Sequence, residues 1–440
     1  MRDMLILGIV VGTLPFALRH TWIGIMLWTW ISLMNPHRLA FGFIHAGPIA
    51  AVTAGAVLVS LVITRDRLRM AWTPPVLVLV LLVMWMCLTT VFAIDPVGSA
   101  TQLNKVLKIQ LMTFIAVLAL QSPKHIQWFI WIIVLSIGYY GFKGGIHTIL
   151  TGGASRVWGP PGGFIEENNA LAVATVMIIP LINYLRIIAT RRLVQLGLLG
   201  LMIVCGISAL GSQSRGGFLA ILAMTIVLWY RSDRKVLYGI GIAVAAAGML
   251  ALMSEVWEDR MRTIETYEKD SSAQSRLGAW RFCINVANSR PLGGGFDLYS
   301  RINYELYAPA ENVGSPVAHS IYFSMLGEHG YVGLFLFLLM WGLTFRLAAQ
   351  VRRDTRKRPE AAWAHTLAGM CQVSLVGYLV GGAFLQLAYF DLPFNIMVVL
   401  VVAQRWLREG AGQPPSVRPL GAGERSISTA ASHAPPSALR

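Results

Sequence analysis

The sequence predicts an all-α integral membrane protein, a polytopic bundle of about 12 transmembrane helices (12–13) with a small helical cap on one side. Three observations predict it. The 440-residue chain is 55% hydrophobic and only 13% charged, with a mean hydropathy of +0.60, whereas soluble domains carry about 25% charged residues. Its apolar residues fall into long runs that do not alternate, which excludes a β-barrel strand set. Its basic residues gather in loops that fall on one side of the walk along the chain.

A helix needs roughly 20 apolar residues to cross the hydrocarbon. Thirteen windows qualify by hydropathy: 4–18, 20–35, 46–64, 73–94, 104–121, 126–148, 168–189, 193–211, 216–231, 236–253, 330–350, 362–386 and 391–407. The first two are short enough to be one hairpin or a tilted pair, so twelve spans fit as well. The N-terminal run lacks a basic n-region and a cleavage site, and reads as a retained first span.

The basic stretches RDRLR (65–69), Arg191–Arg192, RSDRK (231–235) and RRDTRKR (352–358) share one side, which the positive-inside rule assigns to the cytoplasm. That also accounts for the net charge of +15, which in a soluble protein would suggest nucleic acid; no nucleic-acid partner is expected. The segment 254–316 is the one long polar insertion, with nine acidic and seven basic residues. The expected organisation is therefore ten spans over 1–253, a cap over 254–329 with a helical patch SEVWEDRMRTIETYEKD, the last spans over 330–407, and a disordered cytoplasmic tail over 408–440, rich in Pro, Ser, Ala and Gly. The four cysteines are scattered, and no CxxC or Cys/His cluster indicates zinc or a disulfide framework. No internal repeat suggests an inverted-repeat transporter.

Three features converge on the side opposite the basic loops. In SQSRGGFLA (212–220), Arg215 stands where one span ends and the next begins. Position alone also fits a headgroup anchor. The following Gly216–Gly217 pair and a fresh helix N-terminus turn the combination into an anion cradle for a phosphate. In SAQSRLGAW (272–280), Arg276 lies in an amphipathic stretch with Leu277 and Trp280; Arg281 and Arg290 are its rivals. In VAHSIYFSMLGEHGYVGL (317–334), His319 opens an apolar run at membrane depth, where an ionisable group is a functional candidate. Its rival His329, beside Gly330, looks like turn chemistry. Lys105, Lys108, Lys143 and Arg156 lie at or near the same side against the positive-inside trend; headgroup anchoring and binding of a diphosphate or lipid phosphate both fit them. Lys105 and Lys108 share a helical face.

The ordered set of Arg-Gly after an apolar span, SxSRLxxW, GxGF and HSxYxxxLxExGxxGL over about 200–345 resembles the O-antigen ligase and polymerase superfamily. MNPHR (34–38), LNKVLKIQLMTF (103–114), YYGFKGGIHTILTGG (139–153) and RVWGPPGGFIEENNALA (156–172) resemble the putative O-glycosylation ligases of exosortase-type systems. The resemblance implies a glycosyltransferase of the bacterial inner membrane, its site facing the periplasm. It would move a preassembled glycan from undecaprenyl diphosphate to lipid A–core oligosaccharide, without metal or cofactor. Its important residues carry over to Arg215, Arg276 and His319. A protein O-glycosylation ligase and a glycan polymerase are the alternatives within that class. A lipid-linked sugar transporter and an assembly scaffold are the alternatives outside it.

The chemistry is consistent with those residue types. A departing diphosphate gathers negative charge, which two guanidinium forks can hold in pairs of hydrogen bonds. A sugar hydroxyl needs a base with a pKa near neutrality, an effect worth roughly 10²–10⁴-fold. His319 suits either that role or a hydrogen bond to the diphosphate as a cation. Direct attack would invert the anomeric centre.

Overall fold

The computed structural model describes residues 2–45, 47–231, 235–252, 271–308 and 316–410. Among these residues run fifteen α-helices and no strand: α1 (Arg2–Arg19), α2 (Thr21–Met34), α3 (Ile49–Ile63), α4 (Pro74–Val91), α5 (Pro96–Ala119), α6 (Pro123–Thr151), α7 (Asn168–Ile188), α8 (Arg192–Gly211), α9 (Arg215–Arg231), α10 (Lys235–Leu252), α11 (Ser271–Ser289), α12 (Arg301–Tyr307), α13 (Ile321–Thr355), α14 (Ala362–Gly382) and α15 (Asp391–Gly410). A helix meets every apolar window. Six of them, α4 to α8 and α13, are long and apolar enough to cross a membrane, and α2 and α3 are shorter apolar helices. The chain is an all-α polytopic membrane protein. The first two windows are separate helices packed on one another. The helical patch expected at 254–270 and the tail beyond Gly410 lie outside the described residues.

Local chemistry sets the helix ends. Pro74, Pro96 and Pro123 open α4, α5 and α6, where a missing N–H is no loss. The Asp95 carboxylate accepts from the Val97 and Gly98 N–H groups, and the Ser122 hydroxyl from the His125 N–H. At the end carrying the basic loops, His20 meets Asp66 at 3.0 Å and the Thr64 hydroxyl donates to the Arg19 carbonyl at 2.9 Å. The Arg405 guanidinium donates to the carbonyls of Arg69, Val117 and Leu120, closing the C-terminus of α5 with a cation.

The opposite end carries the cap. Helices α11 and α12 form a small core of their own, with Phe282 stacked on Tyr304 at 4.0 Å. The RPLGGGFD turn then docks on the α4–α5 turn: the Ile94 N–H donates to the Gly294 carbonyl at 2.8 Å, and Arg290 to the Phe92 carbonyl at 2.7 Å. The same turn pairs with a break in α13. The Gly294 and Gly295 N–H groups donate to the Gly327 and Glu328 carbonyls at 2.8 and 2.9 Å. Gly330 interrupts the helix at φ 67° and ψ −172°, a region a side chain resists. An added Cβ there would stand 2.2 Å from the Pro291 carbonyl oxygen. Residues 321–329 thus belong with the cap, and the rest of α13 continues into the bundle. The centre is packed through small residues: Gly381 lies against Val173, and Gly217 against Ala172.

Candidate active site

Arg215 stands in the first turn of α9, after a tight turn from α8. Gln213 adopts the left-handed conformation (φ 57°), and the Ser214 hydroxyl accepts the Gly217 N–H at 3.0 Å as the helix cap. Two side-chain bonds tie this turn to the N-terminal half. The Asn168 amide donates to the Ser212 carbonyl at 2.8 Å, and the Gln213 amide donates to the Gly153 carbonyl at 2.9 Å. Gly217 has its glycine for packing, since a Cβ would meet the Ala172 Cβ at 2.8 Å. Gly216 opens instead onto a cleft.

That cleft is lined by Arg215 and Gly216 of α9, Gln213 of the turn, Asn169 of α7, Arg276 of α11, and Phe384 and Leu385. Two arginines 61 positions apart in sequence share it. Arg276 is carried by the helix its amphipathic spacing predicts. One turn on, Trp280 stacks on Phe323 at 4.7 Å and donates to the Ala318 carbonyl at 2.9 Å. His319 follows directly, with a left-handed backbone (φ 43°) that only a held loop keeps in a residue with a side chain. Burial pushes the His319 pKa below its usual value, the positive charge of Arg276 lowers it further, and the carboxylate of Glu167 raises it. The imidazole is accordingly neutral at pH 7, which is the form that can take a proton. The three residues singled out in the sequence thus occupy one neighbourhood.

The other candidates divide. Lys105, Lys108, Lys143 and Arg156 are exposed, and none lines this cleft. Helix α5 begins at Pro96, eight residues before the apolar window, so Lys105 lies nine residues into it. The extra turns are explained by the cap, against which they pack: Ser99 donates to the Phe296 carbonyl at 2.6 Å. Arg281 is exposed, and Arg290 is committed to the Phe92 and Gly293 carbonyls.

His329 belongs to the helix break, as its place beside Gly330 predicts. It is fully buried, with Nδ1 2.7 Å from the Thr89 hydroxyl and Nε2 2.8 Å from the Tyr389 hydroxyl. Tyr389 donates to the buried Glu328 carboxylate at 2.5 Å, so its oxygen takes the Nε2–H of His329. This network fastens the 383–390 loop, which carries Phe384 and Leu385 to the cleft, onto α13 and α4. Sequence reasoning missed Asn169, Gln213, Phe384, Leu385, Glu167 and Tyr389. Only the ENN run after the GPPGGF loop, polar residues immediately before an apolar helix, offered a signal.

Residues 199–338 match the family described as O-Antigen ligase. Over that region the match supports the O-antigen ligase superfamily. Residues 1–190 match a family described as of unknown function (DUF5935). No curated protein matches the sequence significantly. The superfamily match gives the chain the general activity of a lipid-linked glycan ligase or polymerase, a glycosyltransferase type of chemistry with a lipid-linked donor and a surface acceptor. Arg215, Arg276 and His319 all fall within the matched region. Glu167, Asn168, Asn169 and Gly153 come from the other, so residues of both regions build the cleft and the turn that carries Arg215.

Proposed function

We propose that this protein is an O-antigen ligase. It transfers a preassembled glycan from undecaprenyl diphosphate to lipid A–core oligosaccharide at the periplasmic face of the inner membrane. The observation that carries the reading is the shared cleft of Arg215 and Arg276, with the His319 loop fastened beside Arg276.

The bond that breaks joins the anomeric carbon of the glycan to the diphosphate. Arg215 and Arg276 hold the diphosphate and stabilise the charge that grows on it as it leaves. Guanidinium groups suit this because each offers paired donors and stays protonated. His319 takes the proton of the acceptor hydroxyl as that oxygen attacks the anomeric carbon from the opposite side, inverting it. The depressed pKa favours this role over that of a cationic diphosphate ligand. Asn169 offers a neutral amide at the cleft wall, a group suited to sugar hydroxyls. No metal is assigned to the reaction; the arginines occupy the role a metal would play. Lys105, Lys108, Lys143 and Arg156, exposed and outside the cleft, are assigned to lipid phosphates. The orientation rests on the basic loops lying at the end away from the cleft.

The acceptor is tested by offering lipid A–core and a periplasmic protein extract in parallel to purified protein with labelled donor. Label on lipid A–core supports the ligase reading. Label on protein moves the acceptor to that of an O-glycosylation ligase and leaves the chemistry standing.

A further inference from the structure

A second polar chamber lies inside the bundle, away from the arginine cleft, between α2, α5 and α15. Its polar lining is Asp391 and Asn395 of α15, Thr29 of α2 and Thr113 of α5; Ile25 and Ile109 are among the apolar residues that complete it. It has room for about one particle the size of water. All four polar residues are more than nine-tenths buried. The Asp391 carboxylate accepts from the Ser32 hydroxyl. Among the described residues, no arginine, lysine or histidine pairs with it. The Asn395 amide, 7% exposed and one turn further along the same helix face, lines the chamber with no hydrogen-bond partner among the described residues, and so does the Thr29 hydroxyl. The Thr113 hydroxyl gives its proton to the Ile109 carbonyl at 2.9 Å, which leaves its oxygen lone pairs for the chamber.

We propose that this chamber is a binding site for one monovalent cation the size of Na⁺, held by the Asp391 carboxylate, the Asn395 side-chain carbonyl and the hydroxyl oxygens of Thr29 and Thr113. A carboxylate buried among apolar helices needs a counter-charge. Its place at the N-terminus of α15 supplies part of that compensation, and a bound cation would supply the rest. The remaining donors are neutral oxygens, the set that replaces the hydration shell of a singly charged hard cation. A water molecule would use the same oxygens and leave the charge uncompensated. Asp391 also closes the loop that brings Phe384 and Leu385 to the arginine cleft. The bound ion would fix one end of that loop, so transfer should depend on Na⁺. The proposal itself does not rest on the ligase reading.

The test is ²²Na⁺ binding to the purified full-length protein in detergent at constant ionic strength, balanced with N-methylglucamine chloride. Saturable binding of about one ion per chain is expected, displaced by unlabelled Na⁺ and not by choline. Asp391→Asn should abolish it, and Asn395→Ala should weaken it at least tenfold. Thermal unfolding of the wild type should move upward with Na⁺ and stay unchanged with N-methylglucamine. Absence of saturable binding to folded wild-type protein overturns the proposal and leaves a water or a proton in the chamber. Binding that persists in folded Asp391→Asn overturns it too. If Asp391→Asn does not fold, the wild-type isotherm and Asn395→Ala decide.

Discussion

Trp280 donates its indole N–H to the Ala318 carbonyl at 2.9 Å, which fastens the residue before His319 to the helix that carries Arg276. The two lie 38 residues apart in sequence. Trp280 follows Arg276 by one helical turn, so the arginine and the anchor of the histidine loop share a face. This relationship explains a tryptophan four residues after an arginine in the cap helix α11. The account predicts that Trp280→Phe, which keeps the stack on Phe323 and loses the N–H, lowers kcat about 5–10-fold with KM little changed. That corresponds to one hydrogen bond of about 1 kcal/mol. Steady-state transfer kinetics check it, with thermal unfolding to show that the fold is intact.

The pH dependence follows from the surroundings of His319. Arg276 and Glu167 act on it in opposite senses, and Arg215 lies in the same cleft as Arg276. With its pKa held below 6.5, His319 is neutral through pH 7 and becomes protonated only in more acid solution. Transfer by a base should therefore be flat near neutrality and fall as pH drops through that pKa. Glu167→Gln removes the influence that raises the pKa, so the acid limb should move to lower pH. Glu167→Asp should leave it in place. A rate that climbs as pH falls would instead assign His319 to the diphosphate as a cation.

The arginines differ from general positive charge in their forks. Arg215→Ala and Arg276→Ala should each lower kcat by roughly 10²–10³-fold, the scale seen when one preorganised donor to developing charge is lost. Arg215→Lys and Arg276→Lys should recover only part of it, because lysine cannot present paired donors. Transfer assays on protein shown to be inserted and folded read this out.

The helix break makes a prediction about stability alone. Gly330→Ala forces a side chain into a positive φ and against the Pro291 carbonyl, and Gly293→Ala does the same against Glu328. Strain of that kind costs about 1–3 kcal/mol per residue. Both variants should unfold at lower temperature, whereas Gly342→Ala, whose Cβ would meet nothing within 4 Å, should not.

The fold class was legible because a membrane leaves few choices: long apolar runs must be helices. Arg215 and Arg276 were legible because each stands at a marked place, one at a helix start before Gly216 and one in an amphipathic cap helix. Asn169 and Glu167 were not, because nothing in a polar loop foretells which distant turn it will meet; the bonds from Asn168 to Ser212 and from Gln213 to Gly153 do that in three dimensions. Tyr389 escaped notice for the same reason, sitting 60 residues from the histidine it fastens. Gly330 was read as a break, but its partner, the glycine turn at 293–295, is brought to it only by the cap. Lys105 was placed near a span end because hydropathy counts apolar residues, and the cap-facing turns of α5 are polar.

The most direct test of the central claim is glycan transfer from undecaprenyl diphosphate to lipid A–core by the purified protein, in EDTA, for the wild type and for Arg215→Ala, Arg276→Ala and His319→Ala. The account predicts transfer by the wild type and its loss in all three folded variants. Wild-type rates in all three, or no transfer by intact wild-type protein with intact donor and either lipid A–core or protein acceptor, would contradict it.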